Sequence, residues 1–113
     1  MNKALFSIIA ILTLFTVDLN AQTVYSEEYE SRADVKVYVV KYESQADLLV
    51  YKVDYESRAD GNKGLWFFVD YSSRADKTIY FVDYESQADL KIFFVDYESR
   101  AGWKDKSKMH LMY

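Results

Sequence analysis

The stretch Tyr84-Glu85-Ser86-Gln87-Ala88-Asp89-Leu90-Lys91-Ile92-Phe93-Phe94-Val95-Asp96, followed at once by Tyr97-Glu98-Ser99-Arg100-Ala101, decides how the chain is read. A polar hexad alternates with a run of β-branched and aromatic residues, and the pattern restarts after thirteen positions. Outward from this stretch, the hexad Tyr-Glu-Ser-Arg/Gln-Ala-Asp begins at Tyr29, Tyr42, Tyr55, Tyr71 (with Ser72 in place of Glu), Tyr84 and Tyr97. The spacing is thirteen except for one interval of sixteen, whose three extra residues lie in Gly61-Asn62-Lys63-Gly64. Self-similarity at a fixed short period marks a repeat architecture in which each unit covers its neighbour.

The runs between hexads are Val35 to Lys41, Leu48 to Asp54, Leu65 to Asp70, Thr78 to Asp83 and Leu90 to Asp96. Their short length and stiff side chains predict strands. They are nearly continuous in apolar residues, as in Ile79-Tyr80-Phe81-Val82, which predicts cover on both strand faces. The fold class expected is therefore mainly β, with six tandem strand-plus-turn units in one compact domain.

The hexads contain no proline and, in most copies, no glycine, so the turns should use right-handed helical geometry. Ser-x-x-Asp recurs at Ser31/Asp34, Ser44/Asp47, Ser57/Asp60, Ser73/Asp76 and Ser86/Asp89. That spacing predicts a single helical turn per unit, capped at both ends, with the small Ala at its centre packed inward. The last copy departs from the pattern, because Ser99 leads to Gly102-Trp103.

The fourth hexad residue runs Arg32, Gln45, Arg58 and then Arg74, Gln87, Arg100, so two groups of three units superpose at an offset of forty-two residues. A chain making two laps around a common core would place strands three units apart side by side, pairing Val37 to Val40 with Ile79 to Val82.

Composition bounds the remaining choices. Of the 113 residues, 50% are hydrophobic and 28% charged, a profile that favours a packed core over disorder. There is no cysteine, hence neither a disulfide framework nor thiol chemistry. Eleven Tyr, seven Phe and two Trp supply apolar area instead. The formal net charge is -4 and basic residues are interspersed with acidic ones, so no electropositive stripe is available for nucleic acid.

The N-terminus carries Met1-Asn2-Lys3, an apolar run from Ala4 to Val17, and Asp18-Leu19-Asn20-Ala21 before Gln22. This reads as a signal peptide over residues 1–21, too short in its apolar part to span a bilayer comfortably. The expected mature chain is a repeat β domain over 22–103 with a flexible tail over 104–113. Export to the periplasm or the outside follows, with no membrane span once the leader is removed.

Val82-Asp83-Tyr84-Glu85-Ser86-Gln87-Ala88-Asp89-Leu90-Lys91 and the closing Ala101-Gly102-Trp103 carry a resemblance to the Septknot family of small bacterial proteins. The resemblance spans roughly Val24 to Lys104. It implies a compact, monomeric β protein whose backbone is tied in a seven-crossing knot, an architecture that general chain-topology rules disfavour. It implies no catalytic or binding residues.

The functional readings start from what is missing: there is no P-loop, dinucleotide fingerprint or nucleophile elbow. His110 stands alone near the C-terminus and makes neither a metal site nor a convincing base. Repeated acids such as Asp54, Glu56 and Asp60 invite a calcium-dependent adhesive reading, but each hexad also brings its own Arg or Gln and no Gly-rich loop, which favours charge-paired solvated turns. A small hydrolase using paired carboxylates is the second alternative, although a copied residue usually serves a copied structural position. The unique residues Trp66 and Trp103 occupy related places in the two halves and are the candidate ligand contacts; Trp66 also aligns with Val37 and Ile92, which fits a core position. The sequence thus points to a non-catalytic, protease-resistant structural or binding module with no catalytic residue, metal or cofactor.

Overall fold

A computed structural model describes residues 22–58 and 61–113 of the chain. The expected signal peptide, together with Ala59 and Asp60, lies outside the described residues. Seven strands form one sheet: β1 (Gln22–Ser26), β2 (Val35–Val39), β3 (Leu48–Lys52), β4 (Leu65–Phe68), β5 (Lys77–Phe81), β6 (Leu90–Phe94) and β7 (Gly102–Trp103). The five strands expected from composition all form, each ending two residues before the run does. β1 and the short β7 are additional.

The first six strands close into a parallel barrel in the spatial order β1-β5-β2-β6-β3-β4, with β4 returning to pair with β1. The antiparallel β7 branches from β3 through Leu48↔Trp103 and Leu49↔Gly102. Closure leaves the barrel itself without an open edge, which a parallel sheet of strands this short could not otherwise protect.

β2 and β5 pair as expected from the two-lap reading, but with a different register. Val35 faces Ile79 and Val37 faces Phe81, an offset two residues longer than the sequence repeat. The cause is the stagger of a closed barrel. Following the registers once around the ring returns to β1 about twelve residues from the starting point, roughly two residues per strand. Because side chains alternate with a period of two, a two-residue slip keeps every inward residue inward.

The stagger also sets three interior layers, each fed by all six strands or, in the case of Gly64, by the residue just before β4. The middle layer is Val24, Val37, Val50, Trp66, Ile79 and Ile92, none of them exposed to any degree. Below it lie Gln22, Val35, Leu48, Gly64, Lys77 and Leu90, and above it, at the C-terminal ends of the strands, Ser26, Val39, Lys52, Phe68, Phe81 and Phe94. Each fully buried aliphatic or aromatic side chain in the middle layer contributes on the order of 1.5–3 kcal/mol of transfer free energy. Trp66 is the one large residue among them and fills volume that five Val and Ile side chains leave near the axis.

Parallel neighbours normally need a long crossover. Here the same stagger shortens it: straight across the sheet from Ser26, the end of β1, lie Ile79 and then Val35, the start of β2. Val39 leads likewise through Ile92 to Leu48, and Phe68 through Val24 to Lys77. Each connector except that from β3 to β4, which are direct neighbours in the ring, therefore crosses a single intervening strand on the outside of the barrel, a distance of about 10 Å at the usual strand spacing. The outward strand residues Tyr25, Tyr38, Tyr51, Phe67, Tyr80 and Phe93 are half-buried, in line with the expectation of cover on both faces.

Every hexad makes one three-residue 3-10 turn, from Glu30–Arg32 through Glu98–Arg100. The expected two-ended capping does not occur. At the turns that follow Tyr29, Tyr42, Tyr71, Tyr84 and Tyr97, the N-cap is that tyrosine, with no side-chain cap bond, and Ala follows the turn as C-cap instead of sitting at its centre. The repeated Asp serves the crossing. Asp34 donates its backbone N–H to the Thr78 carbonyl at 2.9 Å while its Oδ2 accepts from the Thr78 N–H at 3.1 Å. Asp47 does the same with Lys91 at 2.8 and 2.9 Å, Asp76 with Thr23 at 2.9 and 3.1 Å, and Asp89 with Lys36 at 2.8 and 3.0 Å. In each case the partner belongs to the strand being crossed. Asp reaches back here because a short carboxylate can supply the acceptor that the connector's own carbonyl, turned along the chain, cannot.

The C-terminal segment, expected as a flexible tail, folds back onto the barrel. Lys106–Met112 forms a 3-10 helix whose N-cap Asp105 accepts from the Ser107 N–H. Met112 is 1% exposed within the core cluster, Leu111 packs against it, and the Gln22 Nε2 donates to the Met112 carbonyl at 2.5 Å. Two apolar residues and a buried hydrogen bond supply what the lysine-rich composition of 104–108 conceals. No helix of the described residues is long and apolar enough to cross a membrane.

Candidate functional site: the two ends of the barrel

The two ends of the barrel differ. At the end where the strands begin, the C-terminal segment covers Val35, Leu48 and Leu90, which are at most 2% exposed. Trp103 belongs to this end. It is half-buried, packs against the core, and its Nε1 donates to the carbonyl and Oδ1 of Asn62 at 3.0 and 3.1 Å. Asn62 in turn donates from Nδ2 to the Met109 carbonyl at 2.9 Å, so the only insertion in the repeat ties the last strand to the closing segment. Gly64 ends that insertion at φ +83, and a Cβ there would meet the Leu49 carbonyl oxygen at 2.3 Å.

Trp66 is placed in the middle layer, where it meets Phe68 edge-on with ring centroids 6.1 Å apart. Its indole presents no surface to solvent, and its Nε1 is buried without a hydrogen-bond partner among the described residues, as is the Oε1 of its strand neighbour Gln22. The two tryptophans thus have separate partners: Trp66 the aromatic core, Trp103 the polar insertion.

The opposite end, where all six strands finish, is open. Its layer exposes Val39 to 41% and leaves Phe68, Phe81 and Phe94 half-buried over the sealed middle layer. Lys52 is the cation in this ring. Its Nζ stands 4.6 Å from the Phe94 ring centroid and 5.3 Å from that of Phe68, within range of attraction between an ammonium and an aromatic face. Lys52 was not singled out from the sequence, although a signal exists: the equivalent positions of the other units hold Ser26, Val39, Phe68, Phe81 and Phe94. Beside it lies a shallow depression of about 360 Å³ lined by Tyr51, Lys52, Phe94, Val95 and Asp96. Parallel barrels that bind ligands characteristically do so at this end, where loops and strand termini converge.

The carboxylates are distributed instead of gathered. Asp34, Asp47, Asp76 and Asp89 each accept from the N–H of a crossed strand, Glu43 pairs with Arg100, and Lys36 meets Glu30 at 3.4 Å. Among the described residues no three acidic, histidine or cysteine side chains come together as ion ligands; Asp54 and Glu56 are described, while Asp60 lies outside. Asp105 has its carboxyl held below the usual range by the Ser107 hydroxyl and backbone N–H.

Residues 21–104 match the family model described as the 7(1) septoil knot domain. No curated protein and no solved structure gives a match. The match takes in all seven strands, each of the six hexads and the insertion that closes the ring between β3 and β4. The chain therefore belongs to the Septknot family, as its repeated hexads indicated.

Proposed function

We propose that this domain is an exported, non-catalytic, protease-resistant module that acts as a structural or binding scaffold, a monomer in the periplasm or outside the cell. The observation that carries the reading is the reciprocal Asp bridge: four connectors are bonded to the strands they cross through both a backbone and a side-chain contact. A protease needs a stretch of extended, detachable chain, and connectors bound in this way open only with the barrel. The backbone is tied in the seven-crossing knot that the family description names, and the skipping strand order, in which every connector but that from β3 to β4 passes over one strand, supports it.

Proteolysis tests the reading directly. The native protein is expected to survive a broad-specificity protease that digests the urea-denatured chain within minutes, with loss of native protein tracking global unfolding. Rapid cuts after the exposed Tyr42, Tyr55 or Tyr84 in native buffer would overturn it. N-terminal sequencing of the product from cell-envelope and medium fractions should begin at Gln22, and sedimentation should give one 22–113 chain. Stretching the chain by its ends should leave it shorter than its contour length by the residues held in the tightened knot.

A further inference from the structure

We propose that the open end of the barrel binds a free α-amino acid with an apolar side chain, held as its zwitterion between Lys52 and Asp96. Both residues are exposed and both line the same depression. Neither forms an ion pair within 4.0 Å with another described residue, so a cation and an anion line one depression without being paired. An α-amino acid carries an ammonium and a carboxylate on one carbon and can neutralise both at once. The ammonium of Lys52 stands over the rings of Phe94 and Phe68, and with three donors it can still give a hydrogen bond to an acceptor. The apolar side chain of the ligand is received by Phe94 and Val95, with the Tyr51 ring on the outer side. A depression of about 360 Å³ suits a ligand of this size and little more.

This deepens the binding half of the proposed function and is independent of the protease-resistance measurements, which would stand if it failed. The test is an amide NMR titration of the protein with L-phenylalanine, 3-phenylpropionate and phenethylamine, which carry both charges, the carboxylate alone and the ammonium alone. L-Phenylalanine should give saturable shifts at Tyr51, Lys52, Phe94, Val95 and Asp96, and each single-charge probe should bind about fivefold more weakly. Lys52→Met keeps the hydrocarbon stem over the rings and should remove the advantage over phenethylamine. Asp96→Asn, at an exposed position, should remove the advantage over 3-phenylpropionate and serves as the deciding variant if Lys52→Met unfolds. Equal affinity for all three probes, shifts centred on Trp103 and the C-terminal segment, or no saturation by about 50 mM would each overturn the proposal.

Discussion

Asp47 and Lys91 exchange two hydrogen bonds across forty-four residues of chain: the Asp47 N–H donates to the Lys91 carbonyl at 2.8 Å, and the Lys91 N–H donates back to Asp47 Oδ2 at 2.9 Å. The same carboxylate receives Lys108 Nζ at 3.2 Å, and the Asp47 carbonyl accepts from the N–H groups of Lys104 and Asp105. One residue therefore joins a connector, the strand beneath it and the closing segment. Asp47→Ala should cost about 2–3 kcal/mol in urea denaturation, since it strands the part-buried Lys91 N–H as well as the Lys108 ammonium. Asp89→Ala, at an exposed bridge without a third partner, should cost nearer 1 kcal/mol. Equal losses at the two positions would show that the bridges act only locally.

Gly64 offers a sharper contrast. Its φ of +83 opposes any side chain, and a Cβ at this position would stand 2.3 Å from the Leu49 carbonyl oxygen, an obstacle that belongs to the backbone of β3. Gly64→Ala should lower stability by about 3 kcal/mol, whereas Gly61→Ala, at φ +60 but against only the flexible Lys63 side chain, should lower it by about 1 kcal/mol. Thermal unfolding of the pair measures the difference.

Trp66→Val would make its unit resemble its neighbours and should still destabilise the protein by about 3 kcal/mol, because the barrel cannot shrink to fill the vacated axis. Trp66→Phe should cost only about 1 kcal/mol, the lost volume being offset by removal of a buried N–H that lacks a partner. A Phe variant as unstable as the Val variant would mean that the indole nitrogen contributes a bond of its own.

Removal of Lys106–Tyr113 should expose the lower layer and cost about 3 kcal/mol, with faster amide exchange at Leu48 and Leu90 than at Ile79. The cap of this segment also titrates. Asp105 is depressed in the folded state, so its contribution is complete above the unfolded value of about 3.9 and is lost as pH falls through the lower folded value. Ser107→Ala should raise the Asp105 midpoint in an NMR pH titration, since the Ser107 hydroxyl is the largest cause of the depression.

The hexads made the number, identity and approximate limits of the central strands legible, because β-branched runs and turn residues alternate there without ambiguity. Trp66 was legible as a core position through its alignment with Val37 and Ile92. The register between β2 and β5 was not: a repeat fixes which strands correspond, while barrel stagger fixes how far they slide, and only closure determines stagger. The part played by Asp34, Asp47, Asp76 and Asp89 was hidden for a related reason. Ser-x-x-Asp has the spacing of a local cap, and only the path of the connector reveals that its carboxylate meets a strand from the other half of the chain. Lys52 escaped notice because a lysine at the end of an apolar run looks like an ordinary strand boundary until six strand ends are brought into one ring.

The strand order β1-β5-β2-β6-β3-β4 carries one more consequence. Every pairing within the ring joins a strand of the first half to a strand of the second; none joins two strands from the same half. Each half alone is a set of teeth without the matching comb, with no ladder to nucleate and no partial sheet to persist. The molecule has no stable subassembly into which it could decay, so losing any one half means losing both, and the chain behaves as a single indivisible unit of folding.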